Sequence, residues 1–440
     1  MSTLLDLEAY TNDLSTAVKT LISYCPNTKA QAPIPPEVPH EAHQARKAIL
    51  TTISTLQTLL TTPPDFLHHL AVQTQLLACL QWLGEFQVLA CIPLTGSVSV
   101  EDVADLAAVP ENHLSRIIRM TATAGFLQEP QTGHVAHSAL SASFVTKPSY
   151  LDAVMFLAGT AAPAALQMTT ATQRFGPSVR GNEAAFNIAF GTPITFASTC
   201  EQIPKLQRQW PAFLRYGTGI NDAEDGVTEL LSTLDHFRRG NITVVEVNAH
   251  SITRATNLAT LYPSIRYVVQ MIPPTPPATL QQHQNDPSLS NSNITLRPRA
   301  PQAPQPIPDA ALYILNLPST SPSQTSPSSS LSTHLTAELR AHLEILRTNP
   351  SASLILTPRV LPDPGSVNAD AEGAARTRDL CLLQLANERE LELAEITGVV
   401  AGVGDGLERL DVVNKMRSRE SCAVLVEVKY RRGLMGEVAD

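Results

Sequence analysis

Two runs rich in β-branched residues, Asn241–Val247 (NITVVEV) and Ile265–Gln270 (IRYVVQ), bracket a helical stretch from about Ile252 to Leu261. Strands this apolar, with little alternation, are covered on both faces, as parallel sheets require. Parallel neighbours also need a crossover, which a helix of this length supplies. The pattern predicts the opening of an α/β doubly wound sheet, with Ala310–Leu315, Ser353–Thr357 and Cys422–Val428 as further strands. Two low-complexity inserts, 273–308 (Pro- and Gln-rich) and 318–330 (Ser, Pro and Thr), interrupt it. Their composition buries little apolar surface, so both are expected to be mobile.

The N-terminal part reads differently. Leu4, Leu7, Tyr10, Leu14, Val18 and Leu21 recur at three- and four-residue steps, which predicts an amphipathic helix needing a partner surface. The prolines of 26–39 make the next stretch an extended linker. Helical patterns follow over 40–60 and about 66–90. The unit 96–144 then gives a short helix, a turn at Val109 and Pro110, a second helix over 111–124 and a β-wing ending near His137, a winged helix-turn-helix pattern. The predicted organisation is 1–39 helix and linker, 40–150 winged-helix unit, and 151–440 α/β domain.

Such a motif often enters DNA, but charge argues against that here. The second helix offers only Arg116 and Arg119, with Glu101, Asp102, Asp105, Glu111 and Glu129 around it, and the whole chain carries a net charge of −9. A groove reader needs a basic face to neutralise phosphates. A packing and dimerisation module is the expectation. Charged residues make up 16% of the chain, below the ~25% usual for soluble domains, which also points to covered surface.

The six cysteines are scattered, with no C-x-x-C pair or zinc spacing, so reduced thiols and no metal are expected. Met1–Tyr10 lacks the basic and apolar regions of a secretion signal. The most apolar stretch, 151–168, is broken by Asp152, Gly159 and Pro163, and a buried helix is expected there, not a membrane span.

Five ordered blocks resemble the fungal secondary-metabolite O-methyltransferases that use S-adenosylmethionine. They are AGFLQEPQTGHVAHSALS, NIAFGTP (187–193), NITVVEVNAHS with LYPSIRYVVQ, LTPRVLPDPG (356–365) and RDLCLLQLANERELE (378–392). The resemblance runs from about His40 to the C-terminus. It implies a Rossmann-like methyltransferase domain preceded by a helical winged-helix dimerisation domain.

The same comparison shows what is missing. The family's first strand leads into an acid-glycine-glycine-x-glycine type of loop, which lets backbone approach the cofactor, and an acid after the second strand holds the ribose hydroxyls. Here the corresponding residues are Val247, Asn248, Ala249, His250 and Ser251, without a glycine, and Met271 stands in place of the acid. The family's general-base histidine after the fourth strand is also absent, because Tyr313-Ile-Leu-Asn-Leu-Pro318 runs into the Ser/Pro insert and the next histidine is His334. Glu388 matches a family acid but lacks the histidine it would orient. His250 and His236 read as ordinary loop and helix-end residues, and Lys429, Arg431 and Arg432 as a solvated strand end.

With three functional positions altered and the packing blocks intact, no catalytic residue, no cofactor site and no cofactor are assigned. The resemblance extends to cluster co-activators of the aflatoxin type, which share the degenerate loop. It implies a regulatory partner of a zinc-cluster transcription factor, a homodimer in the nucleus or cytoplasm, with no direct DNA contact. The alternatives are an S-adenosylmethionine-dependent O-methyltransferase of a phenolic polyketide and a non-catalytic metabolite-binding module.

Overall fold

The structure, a computed structural model, describes residues 4–25, 39–272, 293–317, 329–404 and 408–432. The chain divides into two compact units, 1–169 with 199–218, and 170–198 with 219–440.

In the first unit the helices Leu4–Tyr24 and His40–Leu60 pack on one another. Two helices cannot enclose a core. Leu7, Tyr10, Leu14 and Leu21 are only partly covered, and Val18, Ile22, Leu50, Ile53, Leu59 and Leu60 are exposed. The helix Pro63–Glu85 starts on a Thr62/Asp65 capping box and stops earlier than the periodicity suggests. Gln87, in the left-handed region at φ 53°, breaks it before a short turn at Val88–Cys91.

The next unit follows the expected order: β1 (Val98–Ser99), helices Val100–Leu106 and Glu111–Thr123, then β2 (Leu127–Gln128) and β3 (His134–His137), with β3 pairing antiparallel to both other strands. Leu83, Val103, Leu114, Ile118 and Val135 form its core.

The apolar stretch folds as Pro148–Phe156, a π-turn at Leu157–Ala161, and Ala162–Leu166. It is long and apolar enough to cross a membrane by composition alone, with 44% of its most apolar window buried. It packs on the helix Pro204–Gly217, where the Phe156 ring lies 5.1 Å from both Trp210 and Phe213, and Asp152 pairs with Arg208 at 2.8 Å.

The second unit is built on a sheet of seven described strands: β4 (Thr243–Ala249), β5 (Arg266–Met271), β6 (Ile294–Pro298), β7 (Leu312–Asn316), β8 (Ser353–Thr357), β11 (Glu408–Arg417) and β12 (Val424–Arg432). A separate parallel pair is formed by β9 (Val360–Leu361) and β10 (Leu391–Glu392). The sheet order is β11-β12-β8-β7-β4-β5-β6; the five strands from β8 to β6 are parallel, and β12 and β11 are antiparallel additions. One face is covered by the helices Ser329–Thr348 and Leu393–Ala401, the other by Ile220–Ser232 and Thr253–Leu261. This is the doubly wound α/β architecture expected from the strand-helix-strand pattern.

Two strands of the seven-stranded sheet, β6 and β11, were not expected. The composition of 273–308 predicts a mobile insert that buries little apolar surface. Residues 273–292 lie outside the described residues, but 294–298 are β6, and Leu296, Arg299, Gln305 and Ile307 are buried. The second insert overlaps the described chain only at 329–330, which begin the helix Ser329–Thr348.

Candidate functional site

An open doubly wound sheet takes ligands at the carboxyl ends of its strands, where the order of connection reverses. Here that point lies between β4 and β7, because β4 is followed by β5 on one side and neighbours β7 on the other. The end of β4 is closed by its own backbone. Glu246 pairs with Val269 and Ala249 with Met271, so three steps along β4 match two along β5, which is a β-bulge. Asn248 carries the extra residue at φ 56°, a conformation that Asn tolerates better than most side chains. Met271 pairs on its other side with Pro298.

Four of the six degenerate positions, Val247, Asn248, Ala249 and Met271, therefore belong to strands and are buried. Only His250 and Ser251 lie past the strand, in a bend, with solvent-exposed surface. The expectation of a loop beginning at Val247 is thus corrected, since the strand runs two residues further. Ala249 and Met271 pack in one apolar cluster with Leu258, Val269 and Leu296.

Beneath the opposite face lies a buried polar layer. Glu338, on the helix Ser329–Thr348, accepts bonds at Oε1 from Asn248 Nδ2 at 2.9 Å and the Gln302 amide at 2.7 Å, and at Oε2 from Arg299 Nη2 at 3.0 Å. Arg299 Nη1 also donates to Asn248 Oδ1 at 3.3 Å. Burial pushes the Glu338 carboxyl up, but the bonds from Arg299, Asn248 and Gln302 outweigh it and hold it below the usual carboxylate value.

One helical turn further on, His342 Nε2 accepts from Gln305 Nε2 at 3.2 Å, and Nδ1 donates to the Glu338 carbonyl at 2.8 Å. Gln305 in turn exchanges two bonds with Gln270. Burial pulls the His342 imidazole down to about 4, so it is neutral and occupied on both nitrogens. It cannot replace the missing general base.

Among the described residues, a cleft of about 110 Å³, open to solvent on one side, lies at the switch point and is lined by Glu224, Glu246, His250, Arg254, Asn316 and Arg359, among others. Its floor is already paired: Arg254 bonds Glu246 at 2.9 Å and also Asn316, whose amide reaches Glu246 at 3.1 Å, and Thr357 bonds Asn316 at 3.1 Å. Burial raises the Glu246 carboxyl, against the pull of Arg254. His250 keeps solvent-exposed surface, yet the cleft desolvates its ring in part, and this, then the charge of Arg359, holds the imidazole below its ordinary value.

Asn316 ends β7, the strand after which the family's histidine would stand. Glu388 lies half-buried just past the left-handed cap residue Asn387, and burial raises its carboxyl. His236 is directed at β8, with Nε2 3.4 Å from Ser353 Oγ. Among the described residues no group of His, Cys, Asp and Glu could hold a metal ion.

Sequence reasoning missed Glu246, Arg254, Arg299, Gln305, Glu338 and His342. Two signals were available. Glu246 is a charge inside a buried run and requires a partner. Glu338 and His342 share the helical stripe of Leu335, Leu339 and Leu346, which marks them as inward.

In the helix-turn-helix unit, Arg119 is engaged by Glu129 through two bonds of 3.1 and 3.2 Å, and Arg116 is exposed. One of the two cations of the second helix is therefore neutralised within the unit.

The fold is that of the class I methyltransferases with an N-terminal helical domain. It is shared with LepI in complex with SAM (TM-score 0.61, 18% identity, 96% of this chain and 100% of that one). OxaC in complex with SAH and oxaline also shares it (TM-score 0.59, 14% identity, 96% and 99%). At the sequence level, the family model of the trypacidin cluster transcriptional coactivator tpcD N-terminal domain matches residues 4–61, the two-helix segment at the start of the chain. The monodictyphenone cluster transcriptional coactivator mdpA of Emericella nidulans is 59% identical over 478 residues, covering 98% of this chain and 99% of its own. The trypacidin cluster transcriptional coactivator tpcD of Aspergillus fumigatus is 44% identical over 441 residues, covering 98% and 97%. The chain belongs to the family of fungal secondary-metabolite cluster transcriptional coactivators, and its fold is that of a class I methyltransferase.

Proposed function

We propose that the protein is a non-catalytic transcriptional coactivator of a fungal polyketide cluster and acts in the nucleus beside the cluster's zinc-cluster transcription factor. The observation that carries this is the pairing of Ala249 with Met271. Both positions that would face a cofactor are ladder residues in an apolar core, so cofactor and ribose recognition are replaced by packing. The similarity to mdpA and tpcD, both cluster transcriptional coactivators, supports the regulatory role.

DNA contact belongs to the partner on this reading. The chain's net charge is −9, and Arg119 is spent on Glu129. Self-association through the N-terminal helices accounts for the exposed Leu50, Ile53, Leu59 and Leu60, which no second layer among the described residues of the first unit covers.

The reading is tested by deleting the gene in its host and measuring transcripts of the surrounding cluster. Complementation with wild type and with Glu388→Gln follows. The expected result is a collapse of cluster transcripts on deletion and full rescue by both versions. Unchanged transcripts together with loss of one methylated product would overturn the proposal in favour of an O-methyltransferase.

A further inference from the structure

The carboxyl ends of β4, β5 and β6 form the edge at which sheets of this kind bind ligands. A bound ligand stabilises such a domain because it binds the folded chain and not the unfolded one. A chain that binds none must hold those ends together by other means. In this protein the six buried side chains Asn248, Gln270, Arg299, Gln305, Glu338 and His342 meet there.

We infer that this layer is a built-in substitute for a ligand. It fastens the ends of β4, β5 and β6 to the helix Ser329–Thr348, so the coactivator holds one fixed shape without any cofactor. The inference rests on the non-catalytic reading above and adds that the form presented to the partner is constitutive and independent of cofactor supply.

The geometry supports an all-or-none device. The Arg299 and Glu338 side chains are 2% and 0% exposed. Charges this deep are tolerated only when paired and bonded, and removal of one partner leaves the other uncompensated. The bonds also join segments far apart in sequence. Asn248 reaches Glu338 across 90 residues, and Arg299 reaches Asn248 across 51. The Gln302 amide and the Ala303 carbonyl, which accepts from Arg299, pin the chain leaving β6 into the same cluster. Asn248 can join only because the bulge turns it from the ladder, at φ 56°.

The lock has a cost, since Arg299 Nε is buried without a partner among the described residues. A network retained despite such a cost supplies a defined geometry as well as packing.

The test uses the full chain and compares wild type, Arg299→Met, Glu338→Gln and the double variant Arg299→Met/Glu338→Leu, by thermal unfolding and amide hydrogen exchange, with and without S-adenosylhomocysteine. Each single variant is expected to lower Tm by roughly 6–10 °C. Exchange should rise together at 246–249, 299–305 and 329–348. The apolar double variant is expected to recover most of the Tm but not the slow exchange at 246–249 and 299–305, because its side chains cannot bond Asn248 or Gln302. If the single variants do not fold, Asn248→Ala replaces them, with the same exchange pattern and a smaller loss.

Wild-type Tm in the single variants, or faster exchange confined to the substituted segment, overturns the lock. Saturable binding of S-adenosylhomocysteine by wild type, with a raised Tm, would instead sink the non-catalytic reading, leaving the exchange pattern to judge the lock separately.

Discussion

Met271 stands where a ribose-binding carboxylate would be, and its thioether lies among Leu258, Val269 and Leu296. An acid placed there would sit in an apolar cluster beside its ladder partner Ala249, not at a ligand surface. Met271→Asp is therefore expected to cost roughly 3 kcal/mol by burying an unpaired carboxyl, read as a lower midpoint in urea unfolding. Wild-type stability in that variant, with new affinity for adenosine, would contradict the packing argument.

His342 gives a second test at this scale, through pH. Its folded value of about 4 lies below the ordinary 6.5, so the neutral form is the one the fold holds. The associated stability is fully present above about pH 6.5 and is lost as pH falls toward 4. The total is on the order of 3 kcal/mol. His342→Gln, which still offers an acceptor to Gln305, should flatten this part of the stability–pH curve. An unchanged slope would show that other groups cause the acid sensitivity.

At the scale of elements, the helix Ile220–Ser232 is held against the sheet through a close approach at Gly226. A Cβ added there would lie 2.1 Å from Ser421 Oγ and 2.9 Å from Ala423 Cβ, next to β12. Gly226→Ala should destabilise by about 1–3 kcal/mol through overpacking, although alanine favours helix more than glycine does. A stabilised variant in chemical unfolding would mean that the helix shifts freely.

Elements were legible in the sequence to the degree that burial was uniform. Ser353–Thr357 was read to the residue, and β4, β5 and β7 within one or two, because central parallel strands are continuous apolar runs. β6 was hidden by the Pro- and Gln-rich segment around it, and as an edge strand its Ile294-Thr-Leu-Arg-Pro298 sequence needs only one inward residue, Leu296. β11 was missed because charges at Glu408, Arg409, Asp411 and Lys415 mask its half-buried alternation. The polar layer was the least legible feature. Arg299 and Gln305 resemble surface residues in sequence, and only the fold shows that they converge on Glu338 and His342.

For the molecule as a whole, the methyltransferase fold keeps its sheet order, and on the proposed reading packing replaces its ligand crevice. Strand ends that would leave backbone open to a cofactor carry a bulge at Asn248, a ladder pair at Met271 and ion pairs on both faces, Arg299–Glu338 and Arg254–Glu246. On the proposed reading these strand ends exclude the cofactor. Calorimetric titration of the folded full-length protein with S-adenosylmethionine and S-adenosylhomocysteine tests it most directly. The account predicts no saturable heat with either compound from protein that unfolds in a cooperative thermal transition. Saturable binding with a Kd of about 1 μM, equivalent to about −8 kcal/mol, would contradict it.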